Sequence, residues 1–207
     1  MPHIFLFLIA AMTLTLAPGP DNIYVLTRGI AQGRQAGLVA ALGFASGLLF
    51  HTLLAVLGFA ALIKAYPAAY HALQYAGAAY LVYLGVRTLR AAAAMSLQAN
   101  TPAAPAVPLK RIYWQSVIAN ILNPKVTLFF IAFLPQFVNL QAGHMAWQML
   151  LLAVVFIFQA LAIFSAIAFF SGTVGAYFRR QARAAFYLNR LAGCAFVALG
   201  IRIALPQ

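Results

Sequence analysis

Asp21 is the only carboxylate side chain in this 207-residue chain, and it closes an apolar run in Ala17-Pro18-Gly19-Pro20-Asp21-Asn22. A carboxylate in hydrocarbon costs several kcal/mol unless it faces a cavity or a partner, so an acid kept in such a setting is a functional candidate. Lys125 has a similar setting, directly after Pro124 in Asn120-Ile121-Leu122-Asn123-Pro124-Lys125. One acid and one intramembrane base, each next to a proline, could hold the two ends of a zwitterion. Asp21 would take the ammonium, and Lys125, or amides freed at the breaks, would take the carboxylate. A structural ion pair, or a Lys125 that snorkels to the interface, stays open beside that reading.

Proline removes a backbone donor and clashes with the preceding turn, leaving groups that hydrocarbon cannot satisfy. Pro18, Gly19, Pro20 and Pro124 are therefore the expected helix breaks. Near the second break, Ser116, Asn120, Asn123 and Thr127 recur at intervals of four, three and four, which is one helical face. Together with Asn22 they are candidates to line a substrate path; interhelical hydrogen bonding is the plainer alternative. His51 has Gly43, Gly47 and Ala55 at spacings of four, and small residues let helices approach closely. It is expected in a packed interface, and its chemistry also makes it, after Asp21, a proton-coupling candidate. Gln159 lies at a similar depth in a later run. Tyr80, Tyr83 and Arg87 share a face that membrane-interface enrichment explains without a ligand.

Other chemistries have weak claims. One acid, one cysteine (Cys194) and four scattered histidines make no multidentate metal set. No Ser/His/Asp arrangement and no phosphate-cradling loop with a Walker lysine is present. The expectation is neither an enzyme nor a cofactor-dependent protein.

The elements that must position these residues are membrane helices. Hydrophobic residues make up 65% of the chain and charged residues 7%, which excludes a water-soluble globular domain. The net charge of +12 does not argue for nucleic acid, because the basic residues cluster between apolar runs and not on a polar face. About 20 helical residues cross the ~30 Å core, and the chain offers six such spans. They lie roughly at 4–26, 38–63, 68–89, 112–137, 146–171 and 187–205. With the N-terminus outside, inner loops carry Arg28, Arg34, Arg87, Arg90, Lys110, Arg111, Arg179, Arg180, Arg183 and Arg190. The outer side carries only Lys64 and Arg202, a strong positive-inside bias. Both termini are then periplasmic.

The two halves resemble each other. Span three reads Ala76-Gly77-Ala78-Ala79-Tyr80-Leu81 with Leu84-Gly85-Val86-Arg87; span six reads Ala192-Gly193-Cys194-Ala195-Phe196-Val197 with Leu199-Gly200-Ile201-Arg202. Spans one and four each carry a proline break. Two copies of three spans insert in opposite senses, so the expected fold is all-α with six transmembrane helices in an inverted 3+3 repeat and broken helices one and four. Residues 1–90 form the first repeat, 91–111 a cytoplasmic linker with Pro102, Pro105 and Pro108, and 112–207 the second repeat. Matched breaks in two halves point to a binding site.

The motifs resemble those of the LysE/RhtB (lysine exporter/homoserine–threonine resistance) family. They are Pro18-Gly19-Pro20-Asp21-Asn22, Gly33-Arg34-Gln35-Ala36-Gly37, Gly77-Ala78-Ala79-Tyr80-Leu81, and Asn120-Ile121-Leu122-Asn123-Pro124-Lys125 followed by Phe133-Leu134-Pro135-Gln136-Phe137. The resemblance covers nearly the whole chain; the family often carries Asn at the position of Asp21. It implies a bacterial inner-membrane carrier exporting amino acids or close derivatives, homoserine- or threonine-like or otherwise neutral or basic, by proton antiport. The implied partners are an amino-acid substrate, protons and the lipid bilayer; a homodimer is left open. A non-transporting membrane scaffold and an exporter of a small cation are the alternatives.

Overall fold

The computed structural model describes residues 4–17, 19–65, 68–91, 106–173 and 182–204, which are helical with no strand. Pro18, Arg179, Arg180, most of the expected linker and the side chains of Lys64, Arg183 and Arg202 lie outside the described residues. The helices are α1 (Ile4–Leu16), α2 (Pro20–Gln32), α3 (Arg34–Ala65), α4 (Ala68–Ala91), α5 (Leu109–Ile121), α6 (Pro124–Leu128), α7 (Met145–Phe169) and α8 (Ala182–Ala204). After α6 the chain widens into a π turn, Phe129–Phe133, and tightens into a 3-10 turn, Leu134–Phe137.

Both proline motifs bend the backbone. Helices α1 and α2 meet at 57°, and α5 meets the stretch Pro124–Phe137 at 48°. Among the described residues, α3 and α7 are each long and apolar enough to cross a membrane, and counting each bent pair as one span raises the number to four. Helices α4 and α8 have 24 and 23 residues, enough at about 1.5 Å per residue to span the ~30 Å core. Leu49, Leu53 and Leu57 along one face of α3 are at least 60% exposed, a surface suited to lipid.

The first two expected spans end differently from the sequence reading. Helix α2 runs on to Gln32 and α3 starts at Arg34, so Gly33 alone separates them. Its φ of 85° lies in the left-handed region, which glycine enters without steric cost. Length to cross bounds the apolar core of a span and says nothing of the polar turns beyond it.

Glycines set the closest helix contacts. A Cβ on Gly43 would lie 2.7 Å from the Ser116 Cβ, and one on Gly47 2.7 Å from the Asn120 Cβ, so α3 and α5 pack nearly backbone to backbone. Helices α4 and α8 form the most extensive helix pair among the described residues. A Cβ on Gly85 would sit 2.7 Å from the Gly193 carbonyl oxygen, and one on Gly200 2.8 Å from that of Ala78. Rising numbers on α4 meet falling numbers on α8, so the pair is antiparallel.

Candidate functional site

Each break leaves carbonyls at the end of one helix without the next turn to bond them. At the first, the Asn22 Nδ2 amide donates to the carbonyls of Thr15 (2.9 Å) and Ala17 (3.2 Å), tying the end of α1 to the start of α2. Pro20 opens α2 at a position where its missing N–H costs nothing. At the second, Asn123 caps α6: its Oδ1 accepts from the Lys125 backbone N–H at 3.1 Å, and Pro124 takes the first helical position. The Asn120 carbonyl that closes α5 accepts from the Asn123 N–H at 2.9 Å and pairs with His51 Nε2 at 3.0 Å. A carbonyl only accepts, so Nε2 carries a hydrogen, and Nδ1 has no partner among the described residues.

The two breaks meet. The Lys125 ammonium donates to the Ala17 carbonyl at 3.1 Å, joining positions 108 residues apart. A Cβ added to Gly19 would lie 2.7 Å from Asp21 Oδ1 and 3.5 Å from Lys125 Nζ, so the acid and the base converge over one bare glycine. Asp21 is 4% exposed and Lys125 9%, yet among the described residues they do not close to an ion pair within 4.0 Å. Among the described residues Asp21 Oδ1 has no hydrogen-bond partner, and neither do Asn120 Oδ1 and Gln159 Oε1. With Asn22 Oδ1 and His51 Nδ1 beside them, these buried atoms describe a site short of hydrogen-bond donors among the described residues.

A cavity separates Asp21 and Lys125 from an apolar wall. Thr15 and Asn120 complete its polar side; Leu14, Leu48, Val126, Phe156, Ala160 and Phe164 form the rest. It leaves about 10 Å³ for a water centre, roughly one molecule. Aromatic side chains pack at either end. Towards one, Phe156 packs on Phe129 (ring centroids 5.1 Å) and Phe7 (6.4 Å), with Phe133 and Phe137 beyond. Towards the other, two turns along α7, Phe164 packs on Phe44 at 5.8 Å, and the Tyr24 hydroxyl donates to Gln115 Oε1 at 2.8 Å.

Of the residues singled out from sequence, Asp21, Lys125 and Asn120 line this cavity, with Gly19 beneath them. Asn22, Asn123 and His51 sit beside it and satisfy the broken helix ends. Thr127 bonds the Asn123 carbonyl at 3.1 Å and Ser116 that of Ile112 at 2.9 Å. The single polar face expected along span four does not form, because the chain leaves the helix at Leu122–Asn123 and the two halves diverge by 48°. Thr15 went unnoticed in the sequence: its hydroxyl accepts from Gln159 Nε2 at 2.9 Å. The apolar wall left one usable trace, the spacing of four in Phe156, Ala160 and Phe164 on α7.

Among the described residues no three His, Cys, Asp or Glu side chains gather as a metal site. The helices bring a small, charge-lined cavity to two broken segments, the kind of break at which membrane transporters bind their substrates. A family model described as LysE type translocator matches residues 12–207, and the chain belongs to that family. It is 33% identical over 200 residues to the uncharacterized membrane protein PA4757 of Pseudomonas aeruginosa, covering 96% of this chain and 93% of that one. It is 31% identical over 201 residues to a leucine efflux protein of Salmonella typhimurium, covering 97% and 94%. With the uncharacterized membrane protein YrhP of Bacillus subtilis it shares 36% identity over 151 residues, covering 70% and 71%. No solved structure matches the chain. The family makes this chain a membrane translocator.

Proposed function

We propose that the chain exports a neutral, zwitterionic amino acid with an apolar side chain across the bacterial inner membrane, by proton antiport. Asp21 receives the substrate ammonium, and Lys125, once it leaves Ala17, the carboxylate. The observation that carries this reading is the burial of both charges over Gly19, beside a wall of aliphatic and aromatic side chains. Charge then selects the substrate class. The Asp21–Lys125 pair sums to zero and a zwitterion adds zero, whereas a basic or acidic amino acid would bring an unpaired charge into a dry site. The relatives named leucine efflux proteins support the same class. Asp21 is also the acid best placed to carry a coupling proton; His51, outside the cavity, is the lesser candidate.

Room for one water marks a closed form, so loading requires the two halves to part. An inverted repeat supplies the means, with one half rocking against the other. Two pairs of contacts support a duplication. Gly85 meets Gly193 while Gly200 meets Ala78, the reciprocal pattern of two antiparallel copies. His51 on α3 bonds at the end of α5, and Gln159 on α7 bonds at the end of α1. The ten-to-two bias of basic residues supports termini on the periplasmic side.

The test is counterflow in proteoliposomes: vesicles loaded with unlabelled leucine should transiently accumulate labelled leucine. Absence of counterflow with leucine, homoserine and lysine alike would overturn the proposal. Gly19→Ala should leave protein level near wild type, since the Gly19 backbone (φ −150°, ψ 176°) suits any residue. It should cut counterflow at least about tenfold, because the new methyl would displace the Asp21 carboxylate. Full activity in this variant would mean that the acid need not occupy its present position.

A further inference from the structure

Taking the site as a zwitterion site, we infer that Lys125 is a tethered competitor of the substrate ammonium: it compensates Asp21 while the carrier is empty and must leave before an ammonium can bind. Three observations carry this. The ammonium of Lys125 is anchored by the Ala17 carbonyl at 3.1 Å and not by Asp21 itself, so it neutralises the acid through space while Asp21 Oδ1 stays without a hydrogen-bond partner among the described residues. Both groups stand over Gly19, and the cavity between them and the apolar wall leaves room for about one water. Asp21 is the sole acid of the chain, so no second carboxylate can compensate a second cation.

An incoming ammonium would thus be a second positive charge in a low-dielectric pocket built around one negative one. Two ammonium groups repel at the one carboxylate, so Lys125 moves off as the substrate ammonium moves in. Its flexible four-carbon stem permits that movement, and the substrate carboxylate gives the displaced cation a new partner. A zwitterion therefore slips between Asp21 and Lys125 at no change in net charge. A simple amine displaces Lys125 without offering it anything. Wild-type protein should therefore reject amines, and removal of the lysine should admit them.

The probe is labelled 3-methylbutylamine, which keeps the ammonium and branched chain of leucine and lacks its carboxylate. Equilibrium dialysis with the purified full-length protein in detergent measures its affinity. Wild type should bind it at least tenfold more weakly than leucine. Lys125→Met should bind it at least tenfold more tightly than wild type does, and Asp21→Asn combined with Lys125→Met should lose the gain. Lys125→Gln and Lys125→Ala carry the same comparison if the methionine variant does not survive purification. Equal amine affinity in wild type and the lysine variants, or equal binding of amine and leucine by wild type, overturns the inference. Wild-type protein that binds no amino acid at all would instead remove the proposed export function, so the two failures are distinct.

Discussion

Asp21→Asn is expected to lower leucine counterflow by two orders of magnitude or more, with a much smaller fall in protein level. The substitution keeps shape and removes charge. It deprives the substrate ammonium of its counter-charge and leaves the Lys125 ammonium, 9% exposed, without one. Truncating one partner of a buried, hydrogen-bonded charge pair between protein and ligand typically costs about 2–5 kcal/mol of binding, and each ~1.4 kcal/mol is a factor of ten. Asn22, Asn123 and His51, which satisfy the helix ends, are untouched, so the fold retains its local supports. Counterflow normalised to membrane-inserted protein checks the first part. The second readout is an imposed pH gradient, which should no longer accelerate the residual efflux. A gradient response equal to wild type would take Asp21 out of proton coupling.

A charge on the substrate side chain should cost about a hundredfold or more in apparent affinity. Norleucine and lysine have comparable length and differ at the chain end. The cavity wall that faces Asp21 and Lys125 offers Leu14, Leu48, Val126, Phe156, Ala160 and Phe164, none of which can solvate an ammonium. An unpaired ion in such surroundings costs several kcal/mol, which sets the expected ratio. Competition of norleucine, lysine and glutamate against labelled leucine counterflow measures it. Lysine competing as well as norleucine would show that charge balance does not govern selection.

The helical membrane character and the two interruptions were legible because each has a local cause. Apolar runs of spanning length leave few alternatives, and Pro20 and Pro124 forbid a continuous helix. The packing of His51 was legible for the same kind of reason, since Gly43 and Gly47 mark a face that can approach another backbone. The polar face of span four was misread because periodicity assumes an unbroken helix; Asn123 left the helix to cap α6. Convergence of Asp21 with Lys125 was expected only by way of a repeat, and no spacing along the chain encodes a contact across 108 positions. The wall of the cavity was nearly invisible, because in a chain that is 65% hydrophobic an apolar residue carries little information.

Among the described residues, none on α4 or α8 reaches the cavity. In the proposed rocking, the seam at Gly85, Gly193 and Gly200 is the keel on which one half turns against the other, lining no part of the cavity. Cargo preference can drift by changing the wall on α1, α3 and α7 without disturbing that seam. A side chain added at the keel would harm every cargo alike.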